Sequence, residues 1–282
     1  MIKVEHLVYG TFSTSGMAQH VPSQSPGIDT NTKNQIISFC NSWGECRNLK
    51  FFSSVSQFFL DTEENQEPQV AVIKITHHGQ DFAGRKGALL RHALVFRASD
   101  YSLLEYNPFR VEQWGKFKTS WSEEEKCDPF FMDSPDPSQN ELEKIPSSVF
   151  ASLKENLTLL LNGFSLLSYR NVNTPTSDLY LKYLYSLIPQ SQRNGLSFTT
   201  FAFRNNRSYR LGCIYSPDRI PADSLSVEFE KIKPPVSLSA SEERAITDYS
   251  DQVFYFLEQK QFSEASQVIK GFAQKSADLE RN

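Results

Sequence analysis

Hydrophobic and polar residues alternate from the first turn of the chain: Ile2, Val4, His6 and Val8 interleave with Lys3, Glu5, Leu7 and Tyr9. A period of two is that of a β-strand, so one face carries the first set and the other face the second. The same period returns in residues 70–75 and 88–96, where Leu90, His92, Leu94 and Phe96 share a face opposite Arg91, Val95 and Arg97. These two runs predict a hairpin whose connection passes through His77-His78-Gly79 and Gly84-Arg85-Lys86-Gly87. Two further strands are predicted at 196–203 and 209–215, joined by Arg204-Asn205-Asn206-Arg207 as a second hairpin turn.

Helical spacing appears between these runs. Ile36, Ile37, Phe39, Cys40 and Trp43 form a stripe behind Asp29 or Thr30 as the cap. Asp100 opens a short helix ahead of Asn107-Pro108-Phe109. Another helix is predicted over 147–162, stopped at Gly163, and one from Thr176-Ser177-Asp178 to Pro189 carrying Leu179, Tyr183, Leu184 and Leu187. The end of the chain is helical, with an apolar stripe from Val253 to Ile269. Ser25-Pro26-Gly27 is a turn, and residues 61–69 form an acidic loop.

Together these elements predict an α+β fold: a mixed or antiparallel sheet with flanking helices, in two α+β portions packed together. The first portion is placed at 1–121. An acidic, Pro-containing linker or loop, with Glu123-Glu124-Glu125 and Asp133-Ser134-Pro135-Asp136-Pro137, follows at 122–145. The second portion runs over 146–232, and a C-terminal helical segment over 233–282 begins at Lys233-Pro234-Pro235.

Composition narrows the classes. A length of 282 residues suits one large domain or two small ones. Lys and Arg number 29 against 33 Asp and Glu, a net charge of −4 that argues against a dedicated nucleic-acid binder. With 22 Phe and 11 Tyr the chain can fill a large aromatic core. No apolar run is long enough to span a bilayer, Met1 to Glu5 is no signal peptide, and four cysteines fit reduced thiols. A cytoplasmic location is expected.

Candidate chemistry is sparse. Gly10-Thr11-Phe12-Ser13-Thr14-Ser15-Gly16 lacks the lysine of a phosphate-binding loop. Gly84-Arg85-Lys86-Gly87 lacks the hydroxyl, so it is either a solvated turn or an anion-binding bend. Cys40 and Cys46 have no second pair to complete a zinc site, and adjacent His77 and His78 point apart in extended chain. No metal and no cofactor are expected. No Gly-x-Ser-x-Gly elbow occurs, and Cys40 and Cys213 read as core residues. His6 and His92 interrupt apolar faces of two strands, with Tyr9 on the opposite face or at the strand end. Each ring is either a satisfied core histidine or half of an acid–base or pH-sensitive pair.

Several segments, taken in order, resemble a known family. They are His6-Leu7-Val8-Tyr9-Gly10-Thr11-Phe12, Ser25-Pro26-Gly27, Gly84-Arg85-Lys86-Gly87, Arg91-His92-Ala93-Leu94-Val95-Phe96 and Leu196-Ser197-Phe198-Thr199-Thr200. Over roughly residues 1–215 this order resembles the N-terminal domain of the GTPase-associated protein 1 family, second type. The resemblance implies a non-enzymatic adaptor or scaffold in a bacterial NTP-dependent conflict system, partnered by a GTPase or other NTPase encoded nearby. It carries no catalytic residues; His6, Tyr9, Gly84, Arg85, Gly87 and His92 match its recurrent positions and become candidates for ligand or partner binding. Family members are often longer, so a chain ending at Asn282 is expected to be a stand-alone or shortened version. Two other readings stay open: an enzyme using His6 and His92 on a nucleotide or peptide, and a sensor whose 84–87 bend captures a phosphorylated ligand.

Overall fold

The computed structural model describes residues 1–12, 19–44, 53–63, 66–77, 88–122, 124–133, 141–171, 174–204, 209–218, 227–234 and 237–272. The strands in chain order are β1 (Ile2–Thr11), β2 (Gln19–Gln24), β3 (Ser53–Leu60), β4 (Gln69–His77) and β5 (Leu89–Arg97), then β6 (Phe130–Met132), β7 (Ser165–Arg170), β8 (Phe198–Ala202), β9 (Leu211–Tyr215) and β10 (Glu230–Ile232). The helices are α1 (Thr30–Ser42), α2 (Ala98–Ser102), α3 (Pro108–Gln113), α4 (Phe150–Leu161), α5 (Pro175–Leu187), α6 (Gln190–Arg193), α7 (Ala240–Glu258) and α8 (Phe262–Gly271).

One mixed sheet takes in all ten strands, in the order β10-β7-β9-β8-β3-β4-β5-β1-β2, with β6 also paired to β1. This is an α+β fold. The run from β3 through β4, β5 and β1 to β2 is antiparallel, while β9 is parallel to both β7 and β8. Two strands share the outer rim of β1. Ile2, Lys3 and Val4 pair with Met132, Phe131 and Phe130, and Leu7 to Thr11 pair with β2. His6 sits between them, where the rim changes partner.

Both faces of β1, β4 and β5 are covered, so the alternation of β1 and β5 sorts residues between two cores rather than between core and water. Leu7, Tyr9, Ala71, Ile73, Ile75, Ala93 and Val95 pack with Ile36, Phe39, Cys40 and Trp43 of α1. On the opposite face Ile2, Val4, Val70, Val72, Leu94 and Phe96 lie under Tyr101, Leu104, Val111, Phe117 and Met132. Asp29 caps α1 by accepting from the Thr32 amide at 2.7 Å. α5 starts with Thr174 as cap and Pro175 inside the first turn, and Ser177 completes a capping box.

The portions before and after residue 122 meet where β3 pairs with β8. Regular pairing covers only Ser56 with Thr199 and Gln57 with Phe198. Beyond it, hydroxyls replace the ladder: Val55 N–H donates to Thr200 Oγ1 at 3.0 Å, and Ser54 Oγ donates to the Phe201 carbonyl at 2.6 Å. Buried Gln57 ties this seam to the helices, accepting from Tyr101 Oη at 2.5 Å and donating to Tyr185 Oη at 3.1 Å. Part of the acidic stretch at 122–145 lies on the sheet as well: Cys127 is buried beside Val8 and Leu90, and β6 follows it.

One connection differs from its sequence expectation. β8 and β9 do not form a hairpin; they are parallel neighbours, Phe198 opposite Leu211. The Phe203 amide leaves the ladder to bond the Trp43 carbonyl at 3.0 Å, and Tyr209 returns buried against Phe39 of α1. The rings on either side of the connection are thus anchored against α1, which competes with the in-plane return that the turn residues predict.

Candidate functional site

The antiparallel register of β1 and β5 sets His6 opposite Leu94 and Val8 opposite His92. The two histidines are therefore diagonal neighbours on one face. Their rings meet, His6 Nδ1 to His92 Nε2 at 2.9 Å, with centroids 5.1 Å apart in an edge-on arrangement. Phe130 and Phe117 flank them at 5.3 and 5.8 Å.

The outer nitrogens are held by main chain. The Lys118 amide donates to His92 Nδ1 at 2.8 Å, so that nitrogen is an acceptor and carries no proton. His92 Nε2–H then donates to His6 Nδ1, and His6 Nε2–H donates to the Asp128 carbonyl at 2.8 Å. This relay fixes one tautomer for each ring, both neutral, and uses all four ring nitrogens. His6 is 5% exposed and His92 1%. Burial, followed by the neighbouring His6 and the Lys118 ammonium, holds His92 well below the ordinary imidazole range. Burial also lowers His6, opposed by its hydrogen bond to the Asp128 carbonyl.

The strands around the pair are clamped. Ser25 N–H donates to the His6 carbonyl at 2.8 Å, His6 N–H to Ser25 Oγ at 2.9 Å, and Cys127 N–H to Ser23 Oγ at 2.9 Å. Lys118 stands over the Trp121 ring at 5.0 Å and is paired with Glu125. A groove of about 510 Å³ runs between β2 and residues 124–128, lined by Ser23, Gln24, Glu124, Cys127 and Asp128 among others. Neither imidazole borders it.

Tyr9 belongs to the other face. Its hydroxyl donates to Asn41 Oδ1 at 2.7 Å, and the Arg91 guanidinium lies 5.4 Å from its ring. Burial raises its phenol above the ordinary range. The structure thus joins His6 with His92 and separates Tyr9 from them by the thickness of the sheet. Gly84, Arg85 and Gly87 lie outside the described residues. Lys118 and Asp128, which complete the relay, were not among the sequence candidates. They act through backbone groups, which every residue carries, so their side chains gave no signal.

Among the described residues no group of three or more His, Cys, Asp or Glu side chains is placed to hold a metal ion. No described helix is long and apolar enough to cross a membrane. No family model and no curated protein matches the chain. The family reading rests on the motifs quoted above.

Proposed function

We propose that this chain is a non-enzymatic adaptor that works beside a GTPase in a bacterial conflict system. The observation that carries the first half of this reading is the closed relay from the Lys118 amide through His92 and His6 to the Asp128 carbonyl. A general acid or base needs a ring nitrogen within reach of substrate. Here each nitrogen already has a partner inside the fold, so the pair acts as a polar fastener between β1, β5 and the segment at 118–128. The described thiols give no rival: Cys40, Cys127 and Cys213 are buried, and burial pushes the Cys213 thiol up to about 12. The GTPase as partner comes from the family resemblance.

The test is co-expression of the tagged full chain with the GTPase encoded beside its gene, loaded with GDP or a non-hydrolysable GTP analogue. A stoichiometric complex that depends on the nucleotide supports the adaptor. Absence of any complex with the products of neighbouring genes removes the partner. Turnover of a nucleotide or peptide that is lost in His6→Gln and His92→Gln, with the fold intact, would replace the adaptor by the enzyme reading.

A further inference from the structure

A second polar constellation lies far from the histidines in the chain, where the 103–107 turn, α3, α5, α6 and α8 converge. Glu105 stands at its centre. Its carboxylate is approached by Arg110 Nη2 at 3.0 Å, Lys270 Nζ at 3.4 Å and Arg193 Nη1 at 3.7 Å. Across the opening, Glu141 is held by Lys182 Nζ at 3.1 Å and Gln113 Nε2 at 2.8 Å. Three of these cations, Arg110, Arg193 and Lys270, line one pocket with the two carboxylates, 3 − 2 = +1, in a chain whose net charge is −4. The pocket holds about 70 Å³ and is bordered also by Asn107 and Ser266.

Two features make this more than a knot of ion pairs. Arg193, 2% exposed, is locked by its Nε to the Ile188 carbonyl at 2.9 Å, its Nη2 to the Ser186 carbonyl at 2.9 Å and its Nη1 to the Glu105 carbonyl at 3.2 Å. Its charge is positioned before any ligand arrives. Asn107, 3% exposed, spends Oδ1 on the Phe109 amide that opens α3, at 3.0 Å. Its Nδ2 has no partner among the described residues and borders the pocket. This donor is open to the pocket rather than sealed in the core, and its natural complement there is an anion's oxygen.

We infer that this pocket binds a phosphoryl group, as free phosphate or as the terminal phosphate of a monoester. Its oxygens meet Asn107 Nδ2, Lys270 and the N–H groups of Arg110 that Glu105 leaves unused. The space takes a tetrahedral oxyanion and excludes a nucleoside, which would remain outside. Glu105 competes for the same three cations, so it sets the affinity from within. This inference is independent of the adaptor reading.

The experiment titrates the full chain with inorganic phosphate by calorimetry and thermal shift, against chloride at matched ionic strength, and repeats it with glycerol 3-phosphate. Saturable phosphate binding is expected, weakened about tenfold in Arg110→Gln and in Lys270→Met, each a lost charge-assisted contact. Both side chains are partly exposed, so the fold survives their replacement. Glu105→Gln is expected to tighten binding several-fold. Tighter binding of the ester identifies a phosphorylated metabolite, and the reverse identifies the free ion. Phosphate that does no more than chloride, or binding that both cation variants leave unchanged, overturns the inference.

Discussion

At His92 one ring ties the 118 segment to β1 by hydrogen bonds, because its two nitrogens reach the Lys118 amide and His6. His92→Phe keeps the volume and removes both bonds, leaving a buried amide and a buried ring nitrogen unsatisfied. The expected loss is about 2–4 kcal/mol, the sum of two unmade buried hydrogen bonds, read from urea unfolding. The pair also makes stability depend on pH. In the unfolded chain each ring titrates near 6.5, whereas burial lowers both in the fold. Below that value the unfolded chain takes up protons that the folded chain refuses. The contribution is therefore complete above pH 6.5 and is lost as pH falls from there towards the folded values. Lys118 deepens the effect, while Glu5 and Asp128 oppose it at His6. The urea midpoint should drop between about pH 6.5 and 5.5, above the main carboxylate range. In the His6→Gln, His92→Gln double variant that drop should flatten. The sequence made this pair visible because a polar residue broke an apolar face twice. It gave no sign of the partners, which are main-chain groups brought in from residues 118 and 128.

Among the elements, those with strong periodicity were legible. β1, β4, β5, α4 and α5 lie within a few residues of the expected positions, and the helical end is two helices, the first starting at Ala240, well ahead of the stripe that begins at Val253. β3 was not, since Ser54 and Ser56 face the Phe201 carbonyl and the Thr199 hydroxyl of β8, and Gln57 faces the Tyr101 and Tyr185 hydroxyls, rather than water. β6 and β10 are three residues long, too short for a period to show, while β2 is polar throughout apart from Val21 and Pro22 and so shows no apolar face. The β3–β8 seam gives its own prediction. Thr200→Val conserves shape but strands the Val55 amide, at about 1–3 kcal/mol. Hydrogen exchange should quicken at Val55 and its neighbours first; uniform change across the sheet would contradict the assignment. Gly212→Ala tests the parallel pair beside the seam. A Cβ there would stand 2.6 Å from the Thr199 carbonyl oxygen, which belongs to backbone and cannot swing aside. A loss of about 1–3 kcal/mol is expected from such overpacking.

Across the whole molecule, the two portions read from the sequence are parts of one sheet, and the core on the α1 face runs from Leu7 in β1 to Ile269 in α8. Cooperative unfolding follows. Far-ultraviolet dichroism and tryptophan fluorescence should give coincident denaturation curves for the full chain. Two separated transitions would show that the seam yields before the rest. The shared rim of β1 has a further outcome during biosynthesis. The short strand that closes the outer side of Ile2 to Val4, Phe130–Met132, is synthesised more than a hundred positions after them. Until then the donors and acceptors along that margin are open to any stray strand. The nascent chain is therefore most prone to intermolecular misassembly in the interval before residue 132 leaves the ribosome, and slowing translation there should raise the insoluble fraction.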